Sequence, residues 1–177
     1  DKRRQEGTPS YGNPLWLELA AEALNLLGGD VFDREAPAGG AGGVVELLVQ
    51  EVDRMPADVA SLYGWMLDGA ERHFGRAWTR AFVEAIAASR SGWRESDLEA
   101  LMPVMSGEAW DPLRFATLRR GLRAHVVQRG AHAQWDFAHA QMRQAVEPRA
   151  THHRRDLSAV HDAVGRHLLA LRRDDAV

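Results

Sequence analysis

The chain has 177 residues, 45% of them hydrophobic and 27% charged, with a formal net charge of -3; this allows one real core or two or three small ones and excludes both a polyanionic tail and a strongly basic nucleic-acid coat. No run of about 18 apolar residues occurs, so no membrane span is expected, and Asp1–Glu6 leads into no apolar stretch of a secretory signal. Cysteine is absent, which removes disulfides, thiol nucleophiles and cysteine-held zinc and fits a reducing, cytoplasmic setting.

The first predicted helix runs from Asn13-Pro14 to about Leu27, with proline at its start and Gly28-Gly29 as its stop. Its polar stripe of Glu18, Glu22 and Asn25 is narrow, so the helix is expected to be covered on most sides. A loop follows through Pro37 and the glycine cluster at 39–43, then a short helix over Val44–Val52, closed by Pro56. Asp58 is an N-cap for a helix reaching His73-Phe74 and stopping at Gly75; Leu62, Trp65, Met66, Gly69, Ala70 and His73 repeat along it at helical spacing. Arg76–Arg90 is the next helix, with Trp78, Phe82, Ala85 and Ile86 on one face, and Gly92 ends it. A shorter helix spans Trp93–Met102 and is broken by Pro103. Asp111-Pro112 starts another, Leu113–Leu122, with Phe115, Leu118 and Leu122 inside. His125–Gln128 and Gln134–Phe137 form a hairpin around Arg129-Gly130-Ala131. Helices at about His139–Val146 and Leu157–Leu171 close the chain, with Pro148 between them. The fold class is mainly α with one small hairpin, and residues 76–138 follow the order of a winged helix.

Charge is distributed unevenly. Residues 1–111 balance to -9 and residues 112–177 to +6, which calls for mutual docking of the two parts or for an anionic partner of the second. Lys2 is the single lysine among 22 basic residues. With the heavy use of alanine and glycine, that pattern reads as coding bias of a high-GC bacterial genome.

Catalytic motifs are missing. There is no phosphate-cradling Gly-x-x-x-x-Gly-Lys-[Ser/Thr] loop and no Gly-x-Ser-x-Gly elbow. Among the histidines, His125, His132 and His139 are spaced by seven across a turn, His152-His153 diverge, and His161 and His167 lack i, i+4 spacing, so no metal site is expected. Glu95 with Glu99 reads as helix-start charge. The chain by itself offers no nucleophile–base pair. One reading of the winged helix is a DNA regulator, with Arg114, Arg119, Arg120 and Arg123 of the third helix at the groove. That helix carries no Asn or Gln to read adenine, which disfavours it. A helical protein-interaction scaffold is the other alternative.

Several segments resemble a known family. Asn13-Pro14-Leu15-Trp16-Leu17-Glu18-Leu19-Ala20 resembles the segment that opens the helical lid of STAND-class NTPases of the NACHT lineage. Met55–Tyr63 resembles their next lid helix, Phe82–Leu101 the start of their winged helix, and Trp135–Val146 the Phe-x-His segment at its end. Trp93-Arg94 departs from the family's serine cap. The resemblance covers about residues 13–173 and is nearest to large bacterial proteins with an effector-like region and C-terminal repeats. It implies a helical lid domain at 1–75, a winged-helix domain at 76–147 and a C-terminal helix at 148–177 leading to a following domain. It further implies the regulatory half of a signalling switch, possessing neither P-loop nor Mg²⁺-binding acid. Such a half closes over ATP or ADP held by an upstream P-loop domain, with Pro14 near the adenine and His139 on a phosphate. Its partners would be that domain and downstream repeats of the same polypeptide, with homo-oligomerisation on activation and a role in bacterial defence; the parent would be the NTPase, this chain not.

Overall fold

The computed structural model describes residues 12–25, 40–152 and 157–174. Among them are eight helices and one antiparallel hairpin: α1 (Pro14–Asn25), α2 (Gly40–Arg54), α3 (Val59–Phe74), α4 (Arg76–Ala88), α5 (Glu95–Ser106), α6 (Pro112–Gly121), β1 (Val126–Arg129), β2 (Gln134–Phe137), α7 (Ala140–His152) and α8 (Leu157–Asp174). The fold is mainly α with one small hairpin, as the periodicities require. It divides into two compact units, residues 1–66 and 67–177, and the division falls inside α3.

In the first unit, α1 begins where the Asn13 side chain accepts the backbone N–H groups of Leu15 (3.1 Å) and Trp16 (3.4 Å), satisfying donors that a helix start leaves over. Trp16, Leu19, Ala20 and Ala23 are buried while Leu17 and Glu18 are exposed. The helix is therefore covered on one face, not on most sides. The indole of Trp16 donates to the carbonyl of Pro56 (2.9 Å), tying α1 to the turn before α3. Gly40–Gly43, expected in a loop, form the first turn of α2; the helical run from Val44 onward outweighs their weak propensity. Leu26–Gly39, including the expected stop at Gly28-Gly29, lie outside the described residues. Asp58 caps α3 as expected, accepting the N–H of Ser61 at 2.9 Å. The buried stripe of α3 is Leu62, Tyr63, Met66, Leu67 and Ala70, one position round from the expected one, and His73 is exposed.

The second unit is built around α4. Trp78, Thr79 and every residue from Ala81 to Ile86 are buried, so this helix is a central element and not an amphipathic surface one. Phe82 meets Phe115 edge to face at 5.6 Å, a favoured arrangement of the ring quadrupoles, and Leu98, Leu101, Met102, Leu118 and Leu122 complete the core beside them. Asp111 caps α6, accepting from Leu113 (2.9 Å) and Arg114 (3.1 Å), with Pro112 in the first turn. Val126 pairs with Phe137 and Arg129 with Gln134 across the hairpin. Two prolines fail to break their helices: α5 passes through Pro103 and α7 through Pro148. The hydrogen bonds each proline forfeits would have gone to the carbonyls of Glu99 and Gln144. Both residues are exposed, so water can serve those carbonyls.

Trp93, expected in a helix, instead makes an isolated β-bridge. Its N–H donates to the Trp135 carbonyl (3.1 Å), and the Trp135 N–H donates back (2.7 Å). Trp93 thus forms an isolated antiparallel bridge beside β2, between α4 and α5 and ahead of the two-stranded hairpin. Gly92 makes the approach possible: its φ is +79°, and a Cβ there would run into the Trp135 carbonyl. Gly107, the C-cap of α5, has φ +74° but open space around it. Gly92→Ala should therefore cost about 2–4 kcal/mol, and Gly107→Ala about 1 kcal/mol, measured by urea unfolding. Equal losses at the two positions would show that close approach is not what Gly92 serves.

Candidate functional site

The base of the hairpin and the start of α7 gather the polar groups with most chemical potential. The N–H of Ala138 donates to the His125 carbonyl (2.9 Å), closing the hairpin at its root. His139 follows directly and stands at the head of α7, its carbonyl accepting the N–H of Met142 at 3.2 Å. The side chain is half-buried. The first N–H groups of a helix have no intrahelical acceptor and, with the helix dipole, favour an anion. An imidazole beside them can add one more donor.

His125 lies behind. It is 2% exposed, and burial, reinforced by the neighbouring His139, pushes its pKa down from 6.5 to about 4. It is neutral at physiological pH. Of the three histidines spaced by seven, the structure brings His125 and His139 together electrostatically and leaves His132 exposed at the hairpin's turn. His167 is elsewhere, bonded to Asp97 at 3.0 Å and edge-on to Trp93. Among the described residues no three His, Asp or Glu side chains are placed to share a metal ion.

Sequence reasoning missed the residue that holds α7 in place. Arg143, one turn beyond His139, donates through Nη1 to the carbonyls of Ile86 (2.9 Å), Ala87 and Ser89 (2.8 Å). Its Nη2 donates to Asp136 at 3.1 Å. The guanidinium thus caps the C-terminal end of α4 from another helix and ties it to β2. No local signal foretells such a cap, because donor and acceptors are more than fifty residues apart.

A second cluster joins α3, α4 and α7. Glu71, 7% exposed, accepts from Arg80 (2.9 Å) and Arg149 (2.8 Å), and Arg149 also reaches Asp68. Burial alone would raise the Glu71 pKa; the hydrogen bonds from Arg80 and Arg149 outweigh it and hold the carboxyl below its usual range.

Pro14 occupies the first position of α1, exposed, behind the Asn13 cap. It belongs to the first unit and His139 to the second. The four arginines proposed for a DNA groove divide evenly. Arg114 pairs with Glu108, donates to the Phe74 carbonyl (3.1 and 3.3 Å) and covers the Trp78 ring. Arg119 sits between the Phe115 and Trp135 rings and pairs with Glu95 at 3.5 Å. Arg120 and Arg123 are exposed. Among the described residues no helix is long and apolar enough to cross a membrane. No family model, curated protein or solved structure matches this chain.

Two outcomes follow from these clusters. Because the folded His125 resists protonation, an unfolded chain gains a proton that the folded one does not once pH drops below 6.5. Its contribution is full above that value and is lost as pH falls toward about 4. Urea unfolding should show the protein weaker by about 2 kcal/mol at about pH 5 than at about pH 7, and His125→Leu should flatten that slope. Glu71→Ala should cost about 3 kcal/mol, because it takes away the carboxylate that Arg80 pairs with and one of the two that hold Arg149. Asp68→Ala, at a half-exposed carboxylate, should cost under about 1 kcal/mol; similar losses for both would mean burial does not govern this network.

Proposed function

We propose that this chain is the regulatory half of a nucleotide-dependent switch of the STAND class, acting in the bacterial cytoplasm and in defence. The helices of the first unit would form the lid and the winged helix the sensor, both closing over ADP or ATP held by a P-loop domain of the same polypeptide. The observation that carries the reading is the position of His139: half-exposed, immediately after β2, at the head of α7. This is where the resemblance assigns a phosphate contact and where helix-start N–H groups favour an anion. The element order around it, with Trp93 bridged to β2, supports the winged-helix part of the resemblance. Arg143 supports it further by fixing the first turn of α7.

The chain's own residues would supply binding and coupling. The His139 imidazole N–H would donate to a phosphate oxygen, and the exposed ring of Pro14 would offer an apolar edge to the base. With no P-loop motif in the sequence, hydrolysis would belong to the parent. A nucleotide held differently in two arrangements shifts the balance between them, and opening would release surfaces for oligomerisation. The engagement of Arg114 and Arg119 inside the protein weighs against the DNA reading.

The test uses the polypeptide that joins this chain to its P-loop domain. His139→Leu should lower the closed-to-open ratio by about five- to more than a hundredfold, the equivalent of about 1–3 kcal/mol, seen as faster ADP release and oligomers without the trigger. Wild-type ADP retention in that variant, or a parent polypeptide with no P-loop, would sink the assignment.

A further inference from the structure

An imidazole can report on a ligand only if the backbone on both sides of it is held. After His139, Arg143 fixes the first turn of α7. Before it, the hairpin ladder runs out. The Ala138 N–H donates to the His125 carbonyl, and an antiparallel pair of that kind normally returns the bond. Here the His125 N–H goes instead to the Leu122 carbonyl at 2.8 Å, where α6 ends. The Ala138 carbonyl therefore needs a donor from elsewhere.

Arg129, the last residue of β1, supplies it. Val127 pairs with Asp136, so Arg129, two residues on, shares their face of the hairpin. Diagonal neighbours on one face are within reach of a long side chain. Arg129 Nη2 donates to the carbonyls of Phe137 (3.1 Å) and Ala138 (3.2 Å), and its Nε stands 3.7 Å from Asp136 Oδ2. Asp136 Oδ1 accepts from Arg143 at 3.1 Å and from the Phe137 N–H at 2.8 Å. One carboxylate thus joins two guanidinium groups, one on each side of His139. They differ in what else they hold. Arg143 caps α4, so its loss reaches the core, whereas Arg129 is 54% exposed and bonds only the segment that leads into His139.

We propose that Arg129 is a positioning residue of the nucleotide sensor: by holding the two carbonyls before His139, it sets the direction in which the imidazole meets a phosphate. This role rests on the switch reading of His139 for its consequence and on the clamp for its mechanism. A side chain that only steadied the hairpin would act differently, and Gln128 provides the comparison. Gln128 is also on β1 and donates to the Ala133 carbonyl at 3.3 Å, at the turn end of the hairpin and away from the root.

Imidazole NMR of the 177-residue chain reads the placement directly, with His167, bonded to Asp97 between α5 and α8, as internal control. Arg129→Ala should move the His139 signals and leave those of His167 in place. Gln128→Ala should leave His139 unmoved. In the polypeptide that joins this chain to its P-loop domain, Arg129→Ala should release ADP about three- to tenfold faster than wild type. Placed on His139→Leu, the same change should add less than about twofold, because no imidazole is left to aim. Unmoved His139 signals in Arg129→Ala, an equal shift in Gln128→Ala, or full additivity with His139→Leu would each overturn the proposal alone. Wild-type ADP retention in His139→Leu itself would sink the switch reading and the role of Arg129 with it.

Discussion

The last turn of α4 ends inside the protein, and its carbonyl groups must find donors there or be buried unmet. Two side chains from distant positions supply them. The indole of Trp93 donates to the Ala85 carbonyl at 2.7 Å, and Arg143 serves Ile86, Ala87 and Ser89. Each donor brings its own segment along. Trp93 lies beside β2 through its backbone, and Arg143 holds the first turn of α7 against both α4 and Asp136. The Trp93 bridge, the seating of the hairpin and the position of His139 all depend on satisfying one helix terminus.

Electrostatics organise the same unit. Acidic residues before position 112 and basic ones after it pair within it: Arg149 joins Asp68 and Glu71, Arg114 joins Glu108, Arg119 joins Glu95 and His167 joins Asp97. Mutual pairing thus engages Arg114, Arg119 and Arg149 of the basic segment. The pairs differ in worth. Glu71 is deeply buried and doubly bonded, whereas Glu95 and Glu108 are partly open to solvent, where an ion pair contributes little. Arg114 and Arg119 also cover aromatic rings, so their engagement rests on packing as much as on charge.

Legibility in the sequence followed the range of the forces involved. Asp111-Pro112, the Phe115, Leu118 and Leu122 stripe and the presence of the hairpin depend on neighbours a few residues away, and all stand where local chemistry puts them. Helix interruptions at Pro103 and Pro148 were expected and did not occur, because the forfeited bonds fall on carbonyls that water reaches. The glycine run at 40–43 joined a helix for the complementary reason, that the residues after it carry the helix. Long-range partners left no trace in local pattern. Trp93 looks like a helix start until Trp135 is beside it, and nothing near His125 announces that it is buried next to His139. Of the two residues singled out for the nucleotide, the proline's place at a helix start and the histidine's place after the hairpin were readable. The groups that hold the histidine there were not.

Arginine dominates the basic residues of this chain, and composition alone attributes that to coding bias. The cap on α4 gives the bias a structural cost of reversal. A guanidinium presents several donors in a rigid plane and can serve clustered carbonyls and a carboxylate together, while an ammonium is a compact point charge on a flexible stem. Arg143 uses that plane on three carbonyls and Asp136, and Arg119 uses its flat faces between Phe115 and Trp135. Mutational drift from arginine toward lysine is thus open to exposed positions such as Arg120 and Arg123 and closed at these internal ones. A lineage that changed its base composition would carry the old preference longest at the sites where the fold has come to depend on it.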